Sequence, residues 1–293
     1  MQPDSNTALD VKGLDLKEPD LKSLDLKDQD LKIVSLISIG KHPTSGRARR
    51  AEQDGRAVEL GMVLAEATGD KQNLTVIHAG DSQLATRQAA LRSYAGMGLG
   101  AVRVLQMCDS ADAINPLSEY LYKHAPDIIL TGVNSESGES SGMVPYLLGE
   151  ALGWPVVPRI ANIVSIKNGV AEILQALPRG QRRALAVRLP FIASVDNAAP
   201  APRQSAFGPA SRARMDQKVF SADVDAVRNA WTELPARKRP KRLKVIKATT
   251  GAARLKAATA KPQGAGGKVM KEQSAAEQAQ AIFDLLLEEG VLR

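Results

Sequence analysis

Four times between Ile33 and Gly153 a short apolar run gives way to a helical pattern, and this alternation restricts the chain to very few folds. The runs are Ile33 to Ile39, Leu74 to His78, Val102 to Met107 and Asp127 to Leu130. The first is nearly continuous and fits a central strand buried on both faces, as in a parallel sheet covered by helices; the others read as its companion strands. Asp54 to Ala67 is helical, with Ala57, Leu60, Gly61 and Leu64 on one face and Gly69 to end it. Gln83 to Ala95 and Asn115 to His124 follow, the latter with Pro116 in its first turn. A last helical pattern stops at Gly153, before Trp154-Pro155. Strands joined by helical crossovers wind right-handed, so the pattern predicts an α/β fold: a three-layer, mostly parallel sheet.

Ligands of such sheets bind beyond the carboxyl ends of the strands, where the strand order reverses. The strand ends here are Ser38 to Lys41, His78 to Asp81, Cys108 to Ser110 and Gly132 to Gly142. The last is the longest and the richest in glycine and serine. A strand, a Gly/Ser loop and a helix start form a natural anion site, because the first helical turn leaves N–H groups unpaired and the helix dipole favours negative charge. The loop is neither a Walker loop, since no Gly-Lys-Ser/Thr follows, nor a GxGxxG turn. An ordinary polar connection is the alternative reading of the segment by itself.

Beyond Pro155 the pattern changes. Asn162 to Lys167 and Val170 to Leu177 alternate around the turn signal Asn168-Gly169. Arg182 to Leu189 alternates again, and Phe191 to Val195 is apolar throughout. Together they predict an antiparallel section added to the parallel sheet, with Arg179, Arg182, Arg183 and Arg188 towards solvent. Ser211 to Met215 is basic and starts a short helix, and Ala222 to Trp231 is amphipathic. Arg237 to Lys244 is a dense basic run, Thr249 to Gly267 reads as a low-complexity linker, and Ser274-Ala275-Ala276-Glu277 is a capping box opening a final helix with Ile282, Phe283, Leu285 and Leu286 on its apolar side. At the other end, Asp-Leu-Lys units recur from Leu9 to Lys32 at spacings near five. Neither a helix nor a long strand keeps that phase, so residues 1–31 read as an acidic disordered arm.

Composition narrows the chemistry. Aromatic residues make up only 3% of the 293, so the core is built from Val, Ile, Leu and Ala. One cysteine excludes an internal disulfide framework. Cys108 follows an apolar run and reads as a strand-end packing residue. His42, His78 and His124 have no partner at metal-ligand spacing, so no metal site is expected. No apolar run approaches the ~20 residues of a membrane span, and the N-terminus lacks a signal-sequence pattern. The expected protein is cytoplasmic and not membrane-embedded. Its net charge of +7, concentrated in the C-terminal third, suits an anionic cofactor or an acidic partner. The basic run has no interleaved aromatics, so specific nucleic-acid binding is not expected.

The ordered set of segments resembles the beta subunit of electron transfer flavoproteins. Lys32-Ile33-Val34 is similar to the family's first strand, and Asp54-Gly55-Arg56-Ala57-Val58-Glu59 to its Asp-x-x-Ala-Val-Glu helix opening. Met97 to Ala101, Asp127 to Gly132, Leu152 to Pro155, Leu189-Pro190, Val195-Asp196 and Pro202-Arg203 resemble further family segments in the same order. The resemblance implies a Rossmann-like, adenine-nucleotide-binding domain over residues 32–215, a leader at 1–31 and an extended basic C-terminal arm at 216–293 wrapping an alpha subunit. It implies FAD held mainly by that alpha subunit, and AMP, or a second FAD as in bifurcating relatives, in the beta subunit. Flavin dehydrogenases would donate electrons and a membrane quinone oxidoreductase would accept them. The chain would be an electron carrier with no catalytic residue of its own.

By position, the AMP site would use Leu36; Ala51, Glu52, Gln53 and Asp54; Ala79; and the loop Ser137, Gly138, Glu139, Ser140, Ser141, Gly142, Met143 and Val144. The chain departs from the family at Ala51-Glu52-Gln53, where an Asn-Pro-aromatic segment is usual, and in its loop, which is Ser/Glu-rich rather than Asp-rich. Backbone N–H groups can cradle a phosphate without those side chains. The competing reading is a stand-alone nucleotide-binding module or an ATP-using enzyme. It leans on Gly40 to Gly46 as a faint phosphate loop after the first strand.

Overall fold

The computed structural model describes residues 26, 31–220, 224, 226–232, 234, 249–259, 270–271 and 273–288. The chain divides into two compact units, Met1–Ala230 and Trp231–Arg293. The first is built on a nine-stranded sheet. Its strands are β1 (Ile33–Leu36), β4 (Leu74–Gly80), β5 (Ala101–Gln106), β6 (Ile128–Gly132), β7 (Val156–Lys167), β8 (Val170–Ala176), β9 (Arg182–Arg188), β10 (Phe191–Val195) and β11 (Arg214–Val219). A separate hairpin joins β2 (Ile39–Lys41) to β3 (Ala48–Arg50). The order across the sheet is β11-β5-β4-β1-β6-β10-β7-β8-β9. Neighbours from β11 to β7 pair in parallel, while β7–β8 and β8–β9 are antiparallel.

Three helices follow the predicted crossovers: α1 (Glu52–Thr68), α2 (Ala85–Ala95) and α3 (Ile114–His124). A fourth, α4 (Val144–Leu152), leaves the β6 loop. The period of two in a strand decides which helix each side chain meets. Ile33, Ile128 and Leu130 pack with Leu60 and Leu64 of α1. Val34, Leu36 and Ile129 point the other way, to Leu117 and Leu121 of α3 and Leu148 of α4. Val76 and Val104 meet Leu91 and Tyr94 of α2. The result is three layers, with α1 and α2 on one face and α3 and α4 on the other. Gly69 and Gly153 end α1 and α4 in the left-handed conformation, where a side chain would be strained.

Several expectations need correction. The apolar run Ile33 to Ile39 is not one strand. Ser38 turns out of the sheet because its N–H and hydroxyl are drawn to the Asp54 carboxylate (2.7 and 2.6 Å), and Ile39 starts the β2–β3 hairpin. Gly40 to Gly46 is therefore strand and hairpin turn, not a phosphate loop. Phe191–Val195 belongs to the parallel part, between β6 and the start of β7; an all-apolar run carries no information on direction. The basic stretch after Ser211 holds the end of α5 (Phe207–Arg212) and then β11, an edge strand parallel to β5. Arg214–Val219 has no buried face, so neither period nor hydrophobicity announced it.

Cys108 is exposed, because β5 ends at Gln106 and Met107 fills the buried place. Of the leader, Leu26 and Leu31 are described, and both are buried with α1 and β1. The Leu26 N–H donates to Ala67 O, at 3.2 Å. At these two positions the leader is part of the core.

The Asn168-Gly169 hairpin forms as predicted, both residues having positive φ (52° and 73°). Arg179, Arg182, Arg183 and Arg188 are exposed. Near the chain end, α6 (Ala226–Asn229) lies in the first unit, and α7 (Gly251–Thr259) and α8 (Ala275–Glu288) in the second. The linker reading of Thr249 to Gly267 fails over α7, whose Ala, Leu, Lys and Arg are good helix formers and whose Ala253 N–H is capped by Thr250 Oγ1. The capping box is made in both directions: Ser274 N–H donates to Glu277 Oε2 (2.9 Å) and Glu277 N–H to Ser274 Oγ (3.4 Å). Ile282, Phe283 and Leu285 lie exposed on α8. The basic run Arg237 to Lys244 lies outside the described residues.

Candidate functional site: a strand-end pocket

The order β5-β4-β1-β6 reverses direction at β1, because the chain first builds outward through β4 and β5 and then returns to the other side of β1. Strand ends diverge at such a point and leave a crevice. A cavity of about 360 Å³ occupies it. Its floor is apolar, formed by Leu36, Ile37, Ile77, Ala79 and Leu117. Its opposite wall is the loop from Thr131 to Gly142 and the start of α4. A second cavity, of about 380 Å³, lies between the end of α1 and the amino ends of β4 and β5, away from the switch point.

Asp54 pins the crevice together. It sits in the first turn of α1, is 5% exposed, and accepts from Ser38 N–H, Ser38 Oγ and Gly132 N–H (3.1 Å). It thus ties the end of β1 to the end of β6. Burial pushes its carboxyl from 3.8 to about 6, against the three hydrogen bonds that pull it down; the charge of Glu136 adds to the rise. Gly132 must be glycine here, since a Cβ would stand 2.3 Å from Asp54 Oδ1.

The loop is held from behind. Gln53 Oε1 accepts from Val133 N–H (3.0 Å) and Asn134 N–H (3.2 Å). Glu136 accepts from Glu52 N–H (2.8 Å) and forms an ion pair with Arg49 (2.9 Å). Ser137 Oγ donates to Ile39 O (2.7 Å), and Ser140 Oγ to Ser135 O. With the loop held in this way, Gly138 to Gly142 line the pocket.

The loop's main chain has an unusual conformation. Gly138, Ser140 and Gly142 all have positive φ, at 72°, 52° and 70°. Alternate left-handed residues turn successive N–H groups to one side, which makes an anion-binding concavity. Among the described residues, none accepts from the N–H groups of Gly138, Glu139, Ser140, Ser141 or Gly142. The start of α4 is close by and has no side-chain cap. Ser140 carries a side chain in the left-handed region, at a cost of about 1–2 kcal/mol. Backbone strain of this kind concentrates at functional sites.

Of the residues expected at the site, Leu36, Asp54, Ala79 and the run Gly138 to Val144 line the pocket. Ala51, Glu52, Gln53 and Ser137 do not: Glu52, Gln53 and Ser137 take part in the hydrogen bonds that hold the loop, and Ala51 N–H is bound to Tyr94 Oη. Ser38, which opens one of the candidate strand ends, also lines it. The stretch Ala111 to Ile114, and Pro145 and Leu147 of α4, line it too and were not anticipated. Asp112, whose Oδ1 accepts from Ile114 N–H (2.9 Å), is the acceptor at the start of α3, and a residue of that kind before Pro116 was a readable helix-start signal. Among the described residues no group of side chains could hold a metal ion, and no helix is long and apolar enough to cross a membrane.

Comparison with known proteins adds an independent line. Residues 44–228 match the model of the electron transfer flavoprotein domain. The chain is 46% identical over 261 residues to the electron transfer flavoprotein subunit beta of Chromohalobacter salexigens, covering 89% of this chain and 96% of that one. It is 24% identical over 185 residues to YgcR of Escherichia coli (strain K12), provisionally named an electron transfer flavoprotein subunit, covering 59% and 68% respectively.

Proposed function

The chain belongs to the electron transfer flavoprotein family, as a beta subunit, and from that premise we propose that it pairs with an alpha subunit to carry electrons from flavin dehydrogenases towards a membrane quinone oxidoreductase. FAD, held mainly by the alpha subunit, supplies the redox chemistry when bound. This chain contributes the pairing surface and a fixed adenine nucleotide, and turns over no substrate of its own. Its working parts are the nucleotide-binding domain, which takes in β11 and so runs past residue 215, the basic arm beyond it, which embraces the alpha subunit, and the leader at 1–31, which joins the core at Leu26 and Leu31. Its place of action is the cytoplasm.

The observation that carries the nucleotide assignment is the loop of alternate positive-φ residues, with free N–H groups, facing an apolar floor at the strand switch point. The chemistry fits AMP: the N–H groups of Gly138 to Gly142 and the uncapped start of α4 would take the phosphate, and Leu36, Ala79 and Leu117 offer apolar surface to the base. The cavity, at about 360 Å³, is near the small end of the ~300–1,000 Å³ range of ligand pockets. That supports a mononucleotide rather than a second FAD.

Coexpression with the cognate alpha subunit tests the carrier role. The expected product is a yellow heterodimer whose flavin is reduced by a flavin dehydrogenase. A stable stoichiometric pair that contains no flavin would refute it.

A further inference from the structure

The pocket is charged with one sign. Its ionisable lining residues are Asp54, Asp112 and Glu139, and no lysine, arginine or histidine is among the described residues that line it. Asp54 is spent on Ser38 and Gly132. Asp112 is fixed at the rim by the Ile114 N–H, and Glu139 sits within the N–H-rich loop itself; both side chains are exposed. The nearby Arg49 is engaged with Glu136 behind the loop. Sites that hold di- and triphosphates supply a lysine, an arginine or a metal ion in addition to backbone N–H groups. Among the described residues here, only the backbone is available.

We propose that Asp112 and Glu139 make this pocket selective by charge, so that it takes an adenosine monophosphate and rejects the di- and triphosphate. The proposal rests on the reading of the pocket as a mononucleotide site and adds to it the basis of selection. A monophosphate can be neutralised by the loop N–H groups and the helix start. A second phosphate must lie beyond them, beside carboxylates and without a cation. Repulsion between two unit charges at contact range in water changes affinity by about fivefold, and screening removes it beyond ~8 Å. Two carboxylates acting on one added phosphate therefore give selectivity on the order of tenfold or more. Asp54 and the loop N–H groups make the site; Asp112 and Glu139 decide which adenylate remains in it.

The test uses the full chain coexpressed with its alpha subunit. Nucleotides are released from the purified pair with acid, and AMP, ADP and ATP are quantified by mass spectrometry. Wild type is compared with Glu139→Gln, Asp112→Asn and the double variant. Asp112→Asn retains the side-chain oxygen that caps α3, and Glu139 is exposed, so both variants fold. The expected wild-type yield is AMP with ADP and ATP below about a tenth of it, and the double variant raises the ADP share at least about tenfold. Comparable ADP and AMP from wild type would overturn the proposal, and so would a double variant that keeps AMP with an unchanged ADP share. A wild-type pair that releases FAD and no separate adenylate would overturn the nucleotide reading as well.

Discussion

Replacing Asp54 by asparagine isolates the group that holds the crevice together. The native carboxyl is raised from 3.8 to about 6, and each tenfold in proton affinity is about 1.4 kcal/mol. Keeping the buried side chain ionised thus costs about 3 kcal/mol relative to its protonated form. The folded state binds the proton more tightly than the unfolded state, so between pH 3.8 and about 6 it carries more protons. Linkage then makes stability fall as pH rises through that window and level off above it. The amide of Asp54→Asn has no proton to lose, so the variant lacks this slope.

Against that gain stands a lost acceptor. Oδ2 receives two donors from Ser38 and Oδ1 receives one from Gly132. An amide has one oxygen, so a buried N–H faces an NH₂ group, at a cost of about 1–3 kcal/mol. The two effects nearly cancel at pH 7 and leave the variant clearly less stable at pH 4. Denaturant unfolding of wild type and variant at matched ionic strength from pH 4 to 8 measures the difference. A difference independent of pH, or one that grows towards pH 8, would refute the burial argument.

Three further outcomes follow from the same geometry. Gly132→Ala should lower stability by at least ~2 kcal/mol, since its Cβ cannot coexist with Asp54 Oδ1 2.3 Å away; thermal unfolding reads it, and an unshifted midpoint contradicts it. Gln53→Ala frees the N–H groups of Val133 and Asn134, which can turn to water, so it should reduce retained AMP severalfold while costing only about 1 kcal/mol; bound-nucleotide content and denaturant unfolding give both numbers. Leu26→Ala and Leu31→Ala should each cost about 2–4 kcal/mol, because both side chains are buried with α1; losses below ~0.5 kcal/mol would mean that the leader is dispensable to the core.

Much of the framework was readable because its signals are local. Apolar runs, Gly69 and Gly153 at helix ends, and Asn168-Gly169 at the hairpin act within a few residues of where they stand. What escaped depends on distant partners. Ser38 leaves the sheet only because Asp54, sixteen residues on, takes its N–H. Phe191–Val195 is parallel because a gap exists beside β6, which its own composition does not express. β11 has no apolar face, and its strand state comes from pairing with β5.

The site divides in the same way. The loop was visible as a Gly/Ser stretch after a strand. That Gln53 and Glu136 brace it while Leu36 and Ala79 face the pocket depends on side-chain direction, which position alone does not determine.

Whether this beta subunit holds AMP in the β1–β6 crevice beside an FAD-bearing partner is tested most directly by quantifying the nucleotides bound to the wild-type heterodimer. The expected yield is FAD and AMP in equal amounts, with AMP lost on Gly132→Ala. A pair that contains two FAD, or FAD alone, would contradict it.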